Sequence, residues 1–310
     1  MKKSSDVDSI FNDGERLVPF LSHNHDELIR HFSSHSFFKK IILKDIANLN
    51  LKDISVLDLG FGTGYASFAY ANIDQVEIVK SIDVTRDSLE WAKDNYSSKK
   101  IEYEICDAVK FLKNKETYSY VVTRHVLEHI EDGLNILTEE KFINRLCINV
   151  PYNEAKGNIY HLLTGITEKD FPMYKNREFF YEDLKGVTYS KIPKGIRINS
   201  VICIASKGNM PKVGSYFKFP LRAITVEEVF NELSHNNFKF VKNMLDVQMR
   251  RALKLNIVES ENKTLRDSMQ KAEVLEREVG GLRRQLDAIY RSKRWKLVTK
   301  MANAKSKILK

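Results

Sequence analysis

No stretch of the chain approaches the roughly 18 consecutive apolar residues that a membrane-spanning helix needs. The Lys2-Lys3 start runs into Ser4-Ser5-Asp6 rather than a greasy segment, so no secretory signal is expected either. Cysteine is scarce: Cys106, Cys147 and Cys203 stand far apart without C-x-x-C spacing. That excludes a disulfide framework and a cysteine-rich zinc site, and their place in apolar runs predicts buried free thiols in a reducing compartment. Acid is absent from residues 291–310, where Arg291, Lys293, Arg294, Lys296, Lys300, Lys305, Lys307 and Lys310 supply eight of the formal net charge of +9. The rest of the chain is therefore almost neutral, which argues against a broad phosphate-binding track; a polyanion or an anionic membrane should be met by the tail. Together these features predict a cytoplasmic protein whose tail can touch the inner face of a membrane peripherally.

What is present is enough for one full-sized core with a substantial piece left over: 310 residues, 43% hydrophobic and 10% aromatic. Residues 46–206 alternate short β-branched or apolar runs with helical stretches, the pattern of an α/β, Rossmann-like sheet covered on both faces. Strands are predicted at Ser55–Leu59, Glu77–Ile82, Ile101–Ile105, Tyr118–Thr123, Arg145–Val150, Val187–Lys191 and Asn199–Ala205. The first five have room for crossover helices and should be parallel. The last two are joined by the short Ile192–Ile198 connection and should be antiparallel. Residues 1–45 read as an N-terminal cap with a helix around Glu27–Asp45, and 207–224, with Gly208, Pro211, Gly214 and Pro220, as a linker.

No proline follows Pro220, and residues 225–292 turn helical. Leu255, Val258, Asn262, Leu265, Met269 and Ala272 alternate steps of three and four, and Leu275, Val279, Leu282, Leu286 and Ile289 resume the pattern after one break in phase. Such a seam predicts a coiled coil that joins subunits into a homo-oligomer, with Asn262 at a core position setting register; a single amphipathic helix folded back on its own domain is the alternative. Residues 293–310 can form a basic amphipathic helix, with Leu297, Met301, Ala304 and Ile308 on one side and Trp295 at its edge.

The sharpest chemical signal is Val56-Leu57-Asp58-Leu59-Gly60-Phe61-Gly62-Thr63-Gly64-Tyr65, a buried strand entering a glycine-rich turn and then a helix. Glycines there permit a tight turn and close approach of a ligand to the backbone, and the helix start offers unpaired N–H groups. Asp83 lies 23 residues beyond Gly60 at the end of the second strand, where a carboxylate can accept ribose hydroxyls, and Asp107 closes the third strand. In these features the sequence resembles the class I S-adenosylmethionine-dependent methyltransferases, whose seven-stranded sheet ends in an antiparallel pair. The resemblance covers roughly residues 50–206. It implies S-adenosyl-L-methionine as cofactor, with Asp58, Gly60, Gly62 and Gly64 holding its amino-acid end, Asp83 its ribose, and Asp107 lying by adenine. A nicotinamide Rossmann fold differs in its Gly-x-Gly-x-x-Gly fingerprint, and an acid at Asp58 would lie near a pyrophosphate, whereas it can pair with an ammonium group.

Beyond the fourth strand, Leu127-Glu128-His129 resembles a segment that many small-molecule methyltransferases carry at the cofactor cleft. His129, whose ordinary pKa lies near neutrality, can deprotonate an acceptor hydroxyl, or it can simply orient the loop with Glu128. His125-Val-Leu-Glu128-His129 also matches the H-x-x-E-H zinc pattern; that reading needs a helix and a further carboxylate, and no metal is expected. Asn149-Val150-Pro151-Tyr152 is similar to an amino-methylase motif but ends the fifth strand rather than the fourth. The following Asn153–Asp170 segment is expected to face the acceptor, with His161 a second candidate base. His23 and His25, and His31 and His35, read as solvated polar residues.

Gly14-Glu15-Arg16-Leu17-Val18-Pro19 at one end and Ser292-Lys293-Arg294-Trp295-Lys296-Leu297 at the other resemble methyltransferases of bacterial surface-polysaccharide gene clusters. The resemblance implies methylation of a small-molecule or glycan hydroxyl, with the tail contacting a membrane or a glycosyltransferase complex. The competing readings are an RNA or other nucleic-acid methyltransferase, made unlike by the misplaced base-binding motif, and a non-catalytic coiled-coil scaffold that keeps the cofactor fold.

Overall fold

The computed structural model describes residues 25–225, 227–228, 262–284, 287–288 and 291. Nine strands form one mixed sheet: β1 (Ile54–Leu59), β2 (Val76–Asp83), β3 (Ile101–Ile105), β4 (Tyr118–Arg124), β5 (Phe142–Pro151), β6 (Arg177–Asp183), β7 (Val187–Tyr189), β8 (Ile198–Ser206) and β9 (Leu221–Arg222). Their order is β3-β2-β1-β4-β5-β8-β6-β7-β9. The five strands β1 to β5 pair in parallel and the remaining pairings are antiparallel.

The expected seven strands are therefore exceeded, and the sixth, which stands at Val187–Tyr189 where it was expected to begin, does not pair with the last as expected. The strand that pairs with β8 over its whole length is β6, whereas Val187–Tyr189 is a short outer strand hairpinned onto it. Charged ends, Arg177-Glu178 and Glu182-Asp183, disguise β6; inside the fold Glu182 is fully buried against Ser33. The 207–224 segment, expected as a linker, sends Val213 and Ala223 into the core and adds β9 to the edge of the sheet.

Alternation along the strands divides the core. Leu57, Leu59, Val121, Leu146, Ile148, Val201 and Cys203 pack on one face. Val56, Tyr120, Val122, Cys147, Ile202 and Ile204 pack on the other, the period-two signature of a sheet buried on both sides. Cys147 and Cys203 are buried free thiols as expected, while Cys106 is only half-buried and lies beyond the end of β3.

The long helix α1 (His25–Leu49) covers the second face with Phe37, Phe38, Ile41 and Ile42, spaced to share one side. At its end Asp45 accepts from Arg145 Nε at 2.7 Å and Nη2 at 2.8 Å, and from the hydroxyls of Tyr120 at 3.0 Å and Tyr216 at 2.6 Å. Arg145 also donates to Ser206 and to the Pro211 carbonyl. A helix, two strands and the segment after β8 are thus joined by one buried ion pair.

Helices α2 (Tyr65–Ala71), α3 (Arg86–Asn95) and α4 (Ala108–Phe111) follow β1, β2 and β3. The described residues from 262 onward belong to a separate compact unit. Its described part is a helix over 262–284 that exposes Leu265, Met269, Leu275, Val279 and Leu282. Leu255, Val258, Leu286, Ile289 and the basic tail of the predicted seam lie outside the described residues, as do residues 1–24 of the expected cap. Among the described residues no helix is long and apolar enough to cross a membrane.

Asp45→Asn leaves the Arg145 guanidinium buried without its counter-charge. Urea unfolding should show a loss of about 3–5 kcal/mol, the usual cost of breaking a buried pair from one side. A loss below about 1 kcal/mol, the range of an exposed ion pair, would show that the pair does not clamp the helix to the sheet.

Candidate active site

The strand order reverses between β1 and β4, and in open α/β sheets a ligand crevice forms outside the strand ends at that point. A cleft of about 580 Å³ lies there. Its floor is the glycine turn after β1. Gly60, Gly62 and Gly64 all have positive φ, at 82°, 53° and 87°. The turn is tied to β2 by the Gly60 amide donating to the Ile82 carbonyl at 2.7 Å and the Gly62 amide donating to Asp83 Oδ2 at 2.9 Å. Asp83 Oδ1 accepts from the Thr85 amide at 3.0 Å, so both carboxylate oxygens are anchored while the side chain still lines the cleft.

Four of the six residues expected to bind cofactor, Gly60, Gly62, Asp83 and Asp107, line this cleft; Asp58 and Gly64 stand behind it. Gly64 is there for packing: a Cβ would meet Ala92 Cβ at 2.6 Å and the Tyr103 hydroxyl at 2.8 Å. At Gly60 a Cβ would strike Val126 at 2.0 Å, whereas at Gly62 it would meet nothing, so the open side of the turn is at Gly62. Asp107 lies beyond β3 rather than in it, capping α4 by accepting from the Lys110 amide at 2.9 Å.

Asp58 is fully buried, its Oδ2 accepting from the Ser67 hydroxyl at 2.6 Å and its Oδ1 without a partner. Burial pushes its carboxyl from 3.8 up to about 7; the Ser67 hydrogen bond pulls the other way and Asp83 adds to the rise. A buried acid behind the glycine turn, once ionised, favours a cationic group in front of it such as an amino-acid ammonium, and the anchored Asp83 suits a ribose diol. The residues present therefore fit S-adenosylmethionine.

The opposite wall comes from the segment after β4. His125 has φ of 50°, in the left-handed region that a non-glycine residue occupies at a cost of about 1–2 kcal/mol. It starts a sharp bend into a single 3-10 turn, Leu127–His129, rather than a helix. Gly133 supports that turn, since a Cβ there would collide with the Leu127 carbonyl at 2.0 Å.

A second cavity of about 690 Å³ adjoins the first and shares His31, Arg124, His125 and His129 with it. The Asn153–Asp170 loop forms its rim. The Leu162 and Leu163 amides donate to the Glu128 carbonyl at 2.8 and 3.0 Å, drawing the loop onto the turn. His161 thereby meets His129 edge to face, with 4.8 Å between ring centroids. His129 Nδ1 lies 2.9 Å from the Tyr160 carbonyl, and His161 Nδ1 contacts the Glu154 carboxylate. The two candidate bases are thus brought together, near the glycine turn. Asn149 is fully buried, donates to Ser200 at 3.1 Å and lines neither cavity, so it has no access to a nucleobase.

His31 and His35, expected in solvent, are instead packed into the roof of the cleft. His35 Nδ1 lies 3.1 Å from the Tyr70 hydroxyl and His31 Nδ1 3.4 Å from Arg124 Nη1. Burial, with Arg124 nearby, pushes His35 down to about 3 and keeps His31 well below its ordinary value. Arg124 itself was not singled out by sequence; it donates to Ser34 and to the Arg30 carbonyl and so fastens α1 over both cavities. His25 has no described side chain, and His23 lies outside the described residues.

The raised Asp58 pKa has a definite sign. Below about pH 4 the folded and unfolded chains both hold this proton, so its stabilising effect is complete there; it is lost as pH rises through about 7, where the folded state must ionise a buried acid. The free protein should therefore lose thermal stability from about pH 4 to 7, and Asp58→Asn should flatten that slope. S-adenosylmethionine should raise the melting temperature more at pH 8 than at about pH 6 in the parent, but not in the variant. Equal shifts at the two pH values would exclude an ammonium contact at Asp58.

Residues 50–206 match the model of a family described as "Methyltransferase domain". A mitochondrial ubiquinone biosynthesis O-methyltransferase of Candida albicans is 33% identical over 96 residues, 29% of this chain and 29% of the relative. A ubiquinone/menaquinone biosynthesis C-methyltransferase, UbiE, of Desulfotalea psychrophila is 29% identical over 85 residues, 27% of this chain and 34% of the relative. The matches thus span about a third or less of either curated relative. Among solved structures, the methyltransferase domain of bacterial CtHen1 is similar with 16% identity and a TM-score of 0.41, over 56% of this chain and 100% of that one. With the matched segment carrying the glycine turn, Asp83 and Asp107, this chain belongs to the methyltransferase-domain family and carries an S-adenosylmethionine-dependent methyltransferase domain.

Proposed function

We propose that the enzyme methylates a hydroxyl of a polar small molecule or glycan in the assembly of cell-surface polysaccharide. The observation that carries this reading is the polar second cavity, which joins the cofactor cleft at His129. Its wall includes Arg30, Arg124, Arg197, Asn153, Asn158 and Asn199, donors suited to the hydroxyls and charged substituents of a sugar. A substrate with a long apolar chain would bury it against these groups and leave them unpaired. The surface-polysaccharide setting rests on the resemblance of the two chain ends.

Bound S-adenosylmethionine supplies a methyl group already activated on a sulfonium sulfur. The work left to the protein is to align the acceptor and to ease removal of its proton. His129 and His161 are proposed for that second task. A carbonyl oxygen only accepts, so the contact with Tyr160 puts the His129 proton on Nδ1 and the lone pair on Nε2. The Glu154 carboxylate orders His161 in the same way. Arg124 and the α1 roof cover the cleft on one side and so help to hold the reactants in place.

The helix over 262–284 leaves Leu265, Met269, Leu275, Val279 and Leu282 exposed within its own unit, and a second copy is the proposed cover. The basic tail would then present several positive segments to an anionic membrane or a glycosyltransferase complex, a multivalent contact stronger than any one tail provides.

Labelled cofactor offered in parallel to sugar nucleotides, lipid-linked oligosaccharides, prenylated phenols and total RNA should deliver methyl to the glycan pools. Label in RNA or prenylated phenol alone would replace this function. With the glycan acceptor, His161→Ala should lower kcat about 100-fold or more while S-adenosylmethionine affinity is unchanged. For the coil, sedimentation should show an oligomer that Leu275→Asp dissociates; a monomeric parent would remove that part of the proposal.

A further inference from the structure

We propose that Glu128, His129 and His161 form a binding site for a divalent transition-metal ion at the junction of the two cavities. One potential ligand atom from each residue lies within 4.8 Å of those of the other two. Ligands bound to one ion at about 2.1 Å stand roughly 3–4 Å apart, so small side-chain rotations complete the site. The donor set is two imidazole nitrogens and a carboxylate oxygen. That chemistry suits Zn²⁺, Mn²⁺ or Fe²⁺, and is poorly matched to Mg²⁺ or Ca²⁺, which prefer oxygen alone.

Three further observations support an ion rather than a chance meeting of polar groups. Both imidazoles have their Nδ1 engaged by oxygen, His129 with the Tyr160 carbonyl and His161 with the Glu154 carboxylate. This is the outer-shell arrangement that orients a metal-binding histidine and directs its Nε2 lone pair to the ion. The Glu128 side chain is fully buried, and His125 Nδ1 lies 3.4 Å from its Oε1, so a residue that is not one of the three ligands supports the carboxylate. Finally, the trio is held by backbone: the Glu128 carbonyl accepts the Leu162 and Leu163 amides, so the loop bearing His161 is pinned to the turn bearing the other two.

The sequence pattern alone pointed elsewhere. In H-x-x-E-H the first histidine would be a ligand on a helix, but here the segment is a 3-10 turn, His125 stands behind Glu128, and the third ligand comes from the loop after β5.

The role of such an ion rests on the function proposed above. His129 lines both cavities and His161 the acceptor cavity, so an open coordination position would face the acceptor oxygen. A hydroxyl bound there ionises more readily: its O–H bond breaks, the proton passes to solvent water, and the electron pair stays on the oxygen that accepts the methyl. In this arrangement His129 and His161 act on the proton through the ion rather than by taking it themselves.

The test uses the full chain, stripped with chelator and dialysed. Titration with MnCl₂ and with ZnCl₂, followed by calorimetry and, for manganese, by electron paramagnetic resonance, should show one ion per chain. His161→Ala and His129→Ala should abolish that binding or weaken it about 100-fold, and Glu154→Gln should weaken it about 10- to 100-fold through the outer shell. Unchanged S-adenosylmethionine binding in His161→Ala and Glu154→Gln, neither of which lines the cofactor cleft, reports an intact fold. Stripped protein that binds S-adenosylmethionine but neither metal would overturn the site, as would variants that bind metal as well as the parent. Stoichiometric, His161-dependent binding without methyl transfer to any glycan would uphold the site and remove only the acceptor assignment.

Discussion

The pairing of Arg145 with Asp45 is the constraint on which the site depends, although it lies away from both cavities. It closes a contact between residues 100 positions apart and, through the tyrosine hydroxyls of Tyr120 and Tyr216, binds the end of α1 to the middle of the sheet. Two buried charges are tolerable because each is matched by several hydrogen bonds as well as by its partner. With that end fixed and Arg124 holding Ser34 and Arg30, the other end of α1 has one place to lie: across the strand ends, with His31, Phe32 and His35 over the glycine turn. The roof of the active site is thus secured from a point several helical turns distant.

Below the roof, positioning is done chiefly by backbone. Asp83 is fixed by two amides, the glycine turn by the Ile82 carbonyl, and the 153–170 loop by the Glu128 carbonyl. Peptide groups are stiff and short, so side chains mounted on them need little further support to keep their separation. The strained His125 belongs to the same scheme, turning the chain sharply enough to place Glu128 inside and His129 at the boundary between the cavities.

This explains which parts were legible in the sequence. The Asp58–Gly64 turn and Asp83 stood out because the conformation and close approach demand particular residue types at particular spacing, and five parallel strands followed from apolar runs separated by helix-length segments. Strand β6 was hidden because its ends are charged and its central aromatics, Phe179 and Phe180, carry no clear alternation against them. Asp45 looked like one more helix-surface acid. The burial of His31 and His35 depends on how α1 is rotated against the sheet, which is set by the distant ion pair and by the hold of Arg124, from β4, on Ser34 and Arg30. The meeting of His129 with His161 was likewise unreadable, since main-chain hydrogen bonds leave no trace in side-chain identity.

Attachment of the 153–170 loop through main-chain amides has an evolutionary corollary. Residues along its rim, such as Ala155, Asn158 and Tyr160, can be exchanged without severing what fastens the loop to the turn, because neither the Leu162 nor the Leu163 amide requires a particular side chain there. Recognition of new molecules can then drift while the methyl-donating half stays as it is, giving one scaffold a route to many products.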